Sequence, residues 1–464
     1  MLLRLEVDGF KNLVGFDASF GPFNCIAGEN GVGKSNVFDA IQFLSLIADR
    51  SLIEAAQEVR SSRQDSIGEP EHLFTVGANK PQMHFAVEMV VPRKVVDDFG
   101  TIVEPSITLL RYEVRIGFEA ANGSTRHGRL IVESEDLHHI NRGDAHKHLI
   151  FPLSVRDFRN AIVVGERRGG PFISTEVENS RITVHQDGGS RGRPRRALPT
   201  RAATTVVSTI NSADDPTVLA ARREMQSWRR LALEPTALRA ADRFVDPQVM
   251  SSDGRHLAAS LHRIAAESGA GRAEDIYARV ANRVSGLAGV DIRALRVDVD
   301  ETRQLLSIVV TDGHGRELPS RSLSEGTLRY LALCVLLEDP LMSGLITMEE
   351  PENGIHPANL GEVVQLVRDL AVDPFLAPGP DNPLRQVIVN THSPAVVQLV
   401  GDADLLYASG HPTVFDGHRV RALRVQGMEG SWRVGPSRAG ATRLNLLPYL
   451  AQPPGTQMSL FHVA

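Results

Sequence analysis

Two short runs of the chain hold residue types suited to phosphate chemistry. The first is GENGVGKS, Gly28 to Ser35. It fits G-x-x-x-x-G-K-[ST], follows the apolar run NCIA and opens a stretch with helical spacing, the context the motif requires. Glycines let the backbone curl so that its N–H groups converge on phosphate oxygens. The helix start adds a favourable partial positive charge. The candidate nucleotide-binding residues are therefore Gly28, Glu29, Asn30, Gly31, Val32, Gly33, Lys34, Ser35 and the adjoining Asn36. Lys34 is expected to reach the β- and γ-phosphates and Ser35 to bind Mg²⁺, so ATP and Mg²⁺ are the implied ligands.

The second run is LITMEEPENGIHP, residues 345–357. It begins as an apolar strand and ends in adjacent carboxylates, Glu349 and Glu350. Like charges at the end of a buried strand are costly unless a cation compensates them. A metal beside a triphosphate supplies that cation. Glu349 is predicted to hold it with Ser35, through water, and Glu350 to polarise the water that attacks the γ-phosphate. A strand end that simply reaches solvent is the plain alternative.

Two weaker signals accompany them. SLSEGTLRYLAL puts Ser324, Glu325 and Gly326 at the start of an apolar helix, which alone reads as a helix cap with Ser324 as N-cap. VIVNTHSP is a buried strand followed by His392 and a helix start. A lone histidine is usually structural. At a strand end beside the γ-phosphate, His392 becomes a catalytic candidate with Glu350, as a sensor.

The elements that must position these residues are legible in outline. LLRLEV, LVGFDASF and FNCIA read as three short strands before the glycine loop, with a helix from Ser35 to about Asp49 after it. Residues 82–151 are strand-rich, with a turn signal at Asn122-Gly123. Residues 177–213, rich in Ser, Thr, Gly, Arg and Pro, read as a flexible loop or partly ordered insertion. Helices are expected from Asp215-Pro216, from Asp253 and over 272–285. Two strands follow, then an alternation of helix and strand from Leu323, with helices from Pro357 and Ser393. That order implies a parallel sheet covered by helices.

Composition bounds the class. The chain has 464 residues, 42% hydrophobic and 23% charged, with a net charge of −6. This suits a globular protein of two or three domains and gives no global basic field. The two cysteines, Cys25 and Cys334, sit in apolar runs and read as buried thiols in a reducing compartment. MLLRLEVDGF lacks signal-peptide character, and no apolar run approaches the roughly 20 residues of a membrane span. A cytoplasmic protein without a membrane partner is the expectation.

Taken in order, the glycine cradle, Ser-Glu-Gly-Thr, Glu-Glu-Pro-Glu-Asn-Gly-Ile-His-Pro and Thr-His-Ser-Pro resemble an ABC-type ATPase head. The group it looks most like is the RecF/OLD-like set of AAA-family ATPases, related to SMC heads, and the opening LEVDGFKNLVGF is similar too. The match is close over about 1–50 and 320–400 and only in outline between them. It implies a P-loop NTPase fold of ABC type: α/β, mostly parallel, with an antiparallel N-terminal β-lobe and a helical insertion. Expected boundaries are 1–176 for the first half of the head, 177–288 for the Arg-rich loop and helical insertion, and 289–464 for the second half.

The resemblance also implies a head-to-tail dimer or higher even assembly. Ser324, Glu325 and Gly326 would contact the γ-phosphate of ATP held by the partner's cradle. Asn353-Gly354 falls where the family links its two sites, and Lys11 touches phosphate or base, or else is a solvated lysine. Two departures stand out. Glu349 replaces the usual Asp, and the glutamine that links metal to the inserted lobe is not placed, Gln82 being a weak candidate against a plain loop residue.

Other segments add less. Residues 181–201 hold Arg181, Arg191, Arg193, Arg195, Arg196 and Arg201 against one Asp, without aromatics for base stacking. A solvated loop is the first reading, a phosphate-binding arm the second and a protein contact the third. His138, His139, Asn141, His146 and His148 lack the order of a metal nuclease. The tail after His392 is too short for the Toprim nuclease lobe of some relatives, and no long heptads suggest coiled-coil arms. The leading expectation is an ATP-hydrolysing switch for a separate effector, in bacterial anti-phage defence. The alternative is a RecF-like DNA-binding ATPase in repair, and a transporter's ATP-binding subunit is the third class.

Overall fold

The computed structural model describes residues 1–59, 70–77, 81–120, 128–176, 178, 181–187, 196–199, 201–269, 272–287, 289–435 and 440–450. The turn at Asn122-Gly123 and Arg191, Arg193 and Arg195 lie outside them.

The chain opens with β1 (Leu2–Asp8), β2 (Phe16–Ser19) and β3 (Phe23–Gly28), then α1 (Lys34–Ile47) and α2 (Leu52–Glu58). Next come β4 (Gln82–Val90), the pair β5 (Val95–Val96) and β6 (Ile102–Val103), β7 (Leu109–Glu119) and β8 (Arg129–His139). A single turn, α3 (Asn160–Ile162), precedes β9 (Ile173–Glu176), β10 (Arg181–Val184) and β11 (Arg196–Pro199). The middle holds α4 (Pro216–Gln226), β12 (Arg229–Leu231), α5 (Pro235–Leu238), β13 (Asp242–Arg243), α6 (Leu257–Glu267) and α7 (Ala273–Ser285). It ends in β14 (Ile292–Asp300), β15 (Leu305–Asp312) and β16 (Glu317–Pro319). The last part runs α8 (Glu325–Glu338), β17 (Gly344–Glu349), α9 (Leu360–Asp369), β18 (Arg385–Thr391), α10 (Pro394–Leu399), β19 (Leu405–Phe415), β20 (His418–Gly427) and α11 (Arg443–Leu450).

Two sheets dominate. An antiparallel sheet has the order β11-β10-β9-β8-β7-β4-β1-β2. A second, in the order β12-β17-β18-β3-β19-β20, is parallel except for its terminal hairpin β19–β20. The fold is thus the expected α/β head with an antiparallel N-terminal lobe. A small third sheet, of β13 to β16, accompanies the helices of the middle segment.

Strand periodicity decides where the cores lie. In β3, Ile26 joins the core shared with α1 and the antiparallel sheet, while Cys25 and Ala27 face the core shared with α6 to α9. Helix α1 is sandwiched between the two sheets, so Val37, Phe38, Ile41, Phe43, Leu44 and Ile47 are all buried. Each such large side chain contributes on the order of 2 kcal/mol of burial. Both cysteines are buried free thiols.

Three local readings change. The 177–213 segment contributes β10 and the edge strand β11, and Ile182 and Val184 are buried in the antiparallel sheet. Four-residue strands leave little trace within a Ser/Gly/Arg-rich composition. The helix expected from Asp253 starts at Leu257, with His256 as its N-cap in the left-handed region (φ 65). The segment expected to be helical also contains β12, which pairs with β17 and extends the parallel sheet.

Candidate functional site

Parallel pairing sets the site's frame. Glu349 stands opposite Asn390 in the β17–β18 register, and Thr391 opposite Ala27 in β18–β3. The tips of β17, β18 and β3 therefore end together, with the glycine loop, the carboxylate pair and His392 emerging there. In open α/β sheets, ligands bind at this carboxyl edge.

The loop leads from β3 into α1 through Gly33, the helix N-cap, at φ 104. An added Cβ on Gly33 would lie 2.4 Å from the Asn12 amide, so glycine is required on both counts. Asn12 braces the loop: its Nδ2 donates to the Val32 carbonyl at 2.9 Å, and its Oδ1 accepts from Asn36 Nδ2 at 2.7 Å. The first turn of α1 has no acidic residue. Glu29, Asn30 and Gly31 are exposed at the loop's crest. Lys34 is buried, and its Nζ donates to the carbonyls of Gly28 at 2.6 Å and Glu29 at 2.8 Å. Burial lowers its pKa, opposed by the charges of Glu350, Glu29, Glu349 and Glu352.

The two adjacent carboxylates part company. Glu349, the last residue of β17, accepts from Ser35 Oγ at 3.1 Å through Oε2 and from Arg230 Nη2 at 2.7 Å through Oε1. Glu350 adopts φ 47, a left-handed conformation that costs a side-chain-bearing residue on the order of 1–3 kcal/mol. This turns its carboxylate toward His392, whose Nδ1 bonds Oε1, and toward Asn353, whose Nδ2 donates to Oε2 at 2.7 Å. The Glu350 amide donates to the Asn390 carbonyl at 3.0 Å, pinning the strained residue to β18. Glu352 is buried and bonded by the Thr391 hydroxyl, and desolvation raises its pKa.

Ser35 and Glu349 fit a magnesium ion. They offer a hydroxyl and a carboxylate oxygen 3.1 Å apart. No ligand atom there is sulfur or imidazole, as a hard cation prefers.

The Ser-Glu-Gly segment lies elsewhere on the chain's surface. Ser324 caps α8, accepting from the Thr327 amide at 3.2 Å. Gly326 abuts the 353–354 loop: an added Cβ would sit 2.6 Å from the Gly354 carbonyl oxygen. Arg329 Nη1 also donates to the Asn353 carbonyl at 2.6 Å. The loop that holds Glu350 through Asn353 is thus packed against the start of α8.

Other candidates take different places. Lys11 is not a solvated lysine: its buried ammonium is paired with Asp39 of α1. Gln82 opens β4 rather than a loop, and its amide donates to Glu133. The histidines take separate partners, His148 with Glu88 at 2.6 Å and His146 with the Gly143 carbonyl at 3.0 Å. Arg201 pairs with Glu119. Sequence reasoning missed Arg230, which also donates to Asp39 Oδ1 at 3.2 Å. Its signal was Arg229-Arg230 within the otherwise apolar run WRRLAL. Asn12 and Asn390 were missed as well, the latter visible as an amide inside the apolar strand VIVNT.

Cradle, hydroxyl–carboxylate pair and strand-tip glutamate fit a P-loop NTPase fold of ABC type. The chain belongs to the family described as "AAA domain, putative AbiEii toxin, Type IV TA system", which matches residues 23–162 and 223–398. It is similar to the DNA replication and repair protein RecF of Phocaeicola vulgatus, 22% identical over 151 residues, covering 30% of this chain and 40% of that protein. It is also similar to the RecF of Parabacteroides distasonis, 31% identical over 94 residues, covering 18% and 26%. The matches thus span less than half the length of either relative. Among solved structures, an SMC head bound to the C-winged helix domain of ScpA aligns at TM-score 0.46 and 15% identity, covering 92% of this chain and 98% of that one. The SMC head domain from Thermotoga maritima aligns at TM-score 0.36 and 12% identity, covering 92% and 99%. Among the described residues no helix is long and apolar enough to cross a membrane.

Proposed function

We propose that this protein binds and hydrolyses ATP with Mg²⁺ and closes as a head-to-tail dimer that switches a separate effector protein. One observation carries the reading: the glycine cradle, the Ser35–Glu349 pair and the Glu350–His392 pair converge at the tips of three adjacent parallel strands.

Each residue then has a task. The loop amides and the start of α1 receive the phosphates, and Lys34 exchanges its two loop carbonyls for β- and γ-phosphate oxygens. Ser35 and Glu349 hold the magnesium, which when bound neutralises phosphate charge and polarises the phosphoryl group. Glu350 orients the attacking water and draws off its proton, while His392 and Asn353 fix its carboxylate. Ser324 and Gly326 of a second copy would close over the γ-phosphate. The packing of Gly326 and Arg329 on the 353–354 loop supports a link between that closure and Glu350.

Replacing Glu350 by Gln tests the core of this. ATP binding is expected to persist, turnover to fall by about 10²–10³-fold and a closed dimer to accumulate with ATP. Undiminished turnover would remove Glu350 from the role. The family description names a toxin–antitoxin system, which is compatible with a place in defence. Co-purification of a neighbour-encoded effector tests that part. The similarity to RecF favours a second reading, direct DNA binding in repair. Salt-dependent DNA binding by the purified protein would support it.

A further inference from the structure

Among the charges around the cradle, Arg230 has no role in the chemistry described above. It lies on β12, the edge strand beside β17, and is about one-third exposed. Its Nη2 donates to Glu349 Oε1 at 2.7 Å and its Nη1 to Asp39 Oδ1 at 3.2 Å. Asp39 belongs to α1, one turn beyond Ser35, and also pairs with Lys11. One guanidinium therefore joins the metal-binding carboxylate to the helix that the cradle opens.

We propose that Arg230 is a resident counter-cation for the metal position: it neutralises Glu349 until magnesium arrives, so that metal loading is an exchange against the guanidinium. The inference rests on the ATPase reading above and adds a control to its metal step. Both Glu349 oxygens are engaged, one by the Ser35 hydroxyl and one by Arg230. Magnesium taking Ser35 and Glu349 meets a second positive charge bonded to the same carboxylate. Like charges at that separation repel, so the cation that enters weakens or expels the one already there. Only an arginine can span the two acids this way, because its planar fork presents several donors in fixed directions.

The exchange also has somewhere to be felt. Strand β12 is three residues long, and its two flanks are tied to different elements. The Trp228 carbonyl accepts from Ser45 Oγ of α1 at 3.0 Å. The Ala232 amide donates to the Ser252 carbonyl at 2.8 Å, and Glu234 to Asp253 at 2.9 Å, in the loop that leads into α6. Release of Arg230 loosens the side-chain tie between β12 and the cradle and leaves its backbone tie to the α6 loop. The strand that carries the exchanging arginine is thus tied by its backbone to the loop leading into α6.

The test is a magnesium titration of fluorescent ATP-analogue binding by the full chain, for the wild type, Arg230→Gln, Arg230→Lys and Lys34→Ala. Removing the competing charge is expected to lower the magnesium midpoint about tenfold in Arg230→Gln, the weight of one charged hydrogen bond. Lysine keeps the charge but cannot bridge both acids, so Arg230→Lys is expected about threefold below the wild type. Thermal melts without nucleotide give a second readout: magnesium should stabilise Arg230→Gln more than the wild type. A merely structural arginine would lower the melting temperature and leave the midpoint alone. An unchanged or raised midpoint in Arg230→Gln overturns the proposal, and if that variant does not fold, an unchanged midpoint in Arg230→Lys does so. If the wild type binds the analogue no better than Lys34→Ala, the ATPase reading itself fails, and this inference with it.

Discussion

The antiparallel and parallel sheets use the same charged residues in opposite ways. On the antiparallel sheet, arginines and glutamates alternate across neighbouring strands. Arg111 bonds Glu6 at 2.6 Å, Glu113 at 2.6 Å and Glu88 at 3.3 Å, and Arg4 bonds Asp17 at 2.8 Å. In the central strands β3, β17 and β18, charge is confined to Arg385 at the foot of β18 and Glu349 at the tip of β17. Around that tip Glu350, Glu352 and Glu29 follow, close enough to act on the Lys34 charge. The first pattern neutralises itself and holds strands together. The second gathers like charge beside the glycine loop, an arrangement that the proposed metal and nucleotide would complete. Placement, not composition, separates a structural charge from a functional one.

Breaking each pattern should produce a different kind of loss. The largest effect is expected from Lys34→Ala, which removes the cradle's buried cation. Nucleotide affinity should fall about 100-fold or more, measured by titration with a fluorescent analogue. Unchanged affinity would refute the assignment of the cradle. Ser324→Arg comes next. It should leave ATP binding intact but obstruct the second copy, lowering turnover about tenfold or more and abolishing its cooperative dependence on ATP. Cooperative hydrolysis by that variant would contradict the sandwich.

On the antiparallel sheet the expectation inverts. Arg111→Ala strands three carboxylates near one another and should cost about 1–3 kcal/mol of stability in urea unfolding. Nucleotide affinity should not move, and a tenfold change in it would erase the distinction between the two sheets.

The smallest effect is a pH slope from a glutamate buried between β8 and the 206–207 turn. Glu135 accepts from the Val206 and Val207 amides and from the Tyr112 hydroxyl, yet burial raises its pKa from the ordinary 4.5 to about 7. The folded chain then keeps a proton that the unfolded chain has released, so stability from this group falls as pH rises between about 4.5 and 7. The surface ladder acts the other way. Desolvation works against Glu88, but His148, Arg4 and Arg111 outweigh it and lower its pKa, so its contribution is lost as pH falls below the ordinary carboxylate range. Glu135→Gln should flatten the first slope and spare the second, as read from unfolding midpoints across both pH ranges.

Legibility followed chain distance. The loop Gly28–Ser35 and the run ending in Glu349-Glu350 could be read because each is a contiguous motif whose chemistry depends on neighbours in sequence. The three opening strands and the helix after them were read for the same reason, since their periodicity is local. Strands β10 and β11 were obscured by composition. Strand β12 has only three residues, too few for periodicity to register, and Arg230 acquires meaning only from Glu349, 119 residues away.

The order of residues alone pointed to the class of chemistry proposed here: a glycine loop suited to phosphate, a hydroxyl beside it, and an acidic strand end suited to a metal and a water. Those properties follow from backbone geometry and side-chain type within a few residues. Tertiary structure decided which partners each of the two adjacent glutamates takes. The parallel register brings Ser35 and Arg230 to one and His392 to the other, and a left-handed turn at Glu350 aims the second carboxylate away from the first. No local pattern encodes that division, because the partners that enforce it arrive from three separate parts of the chain.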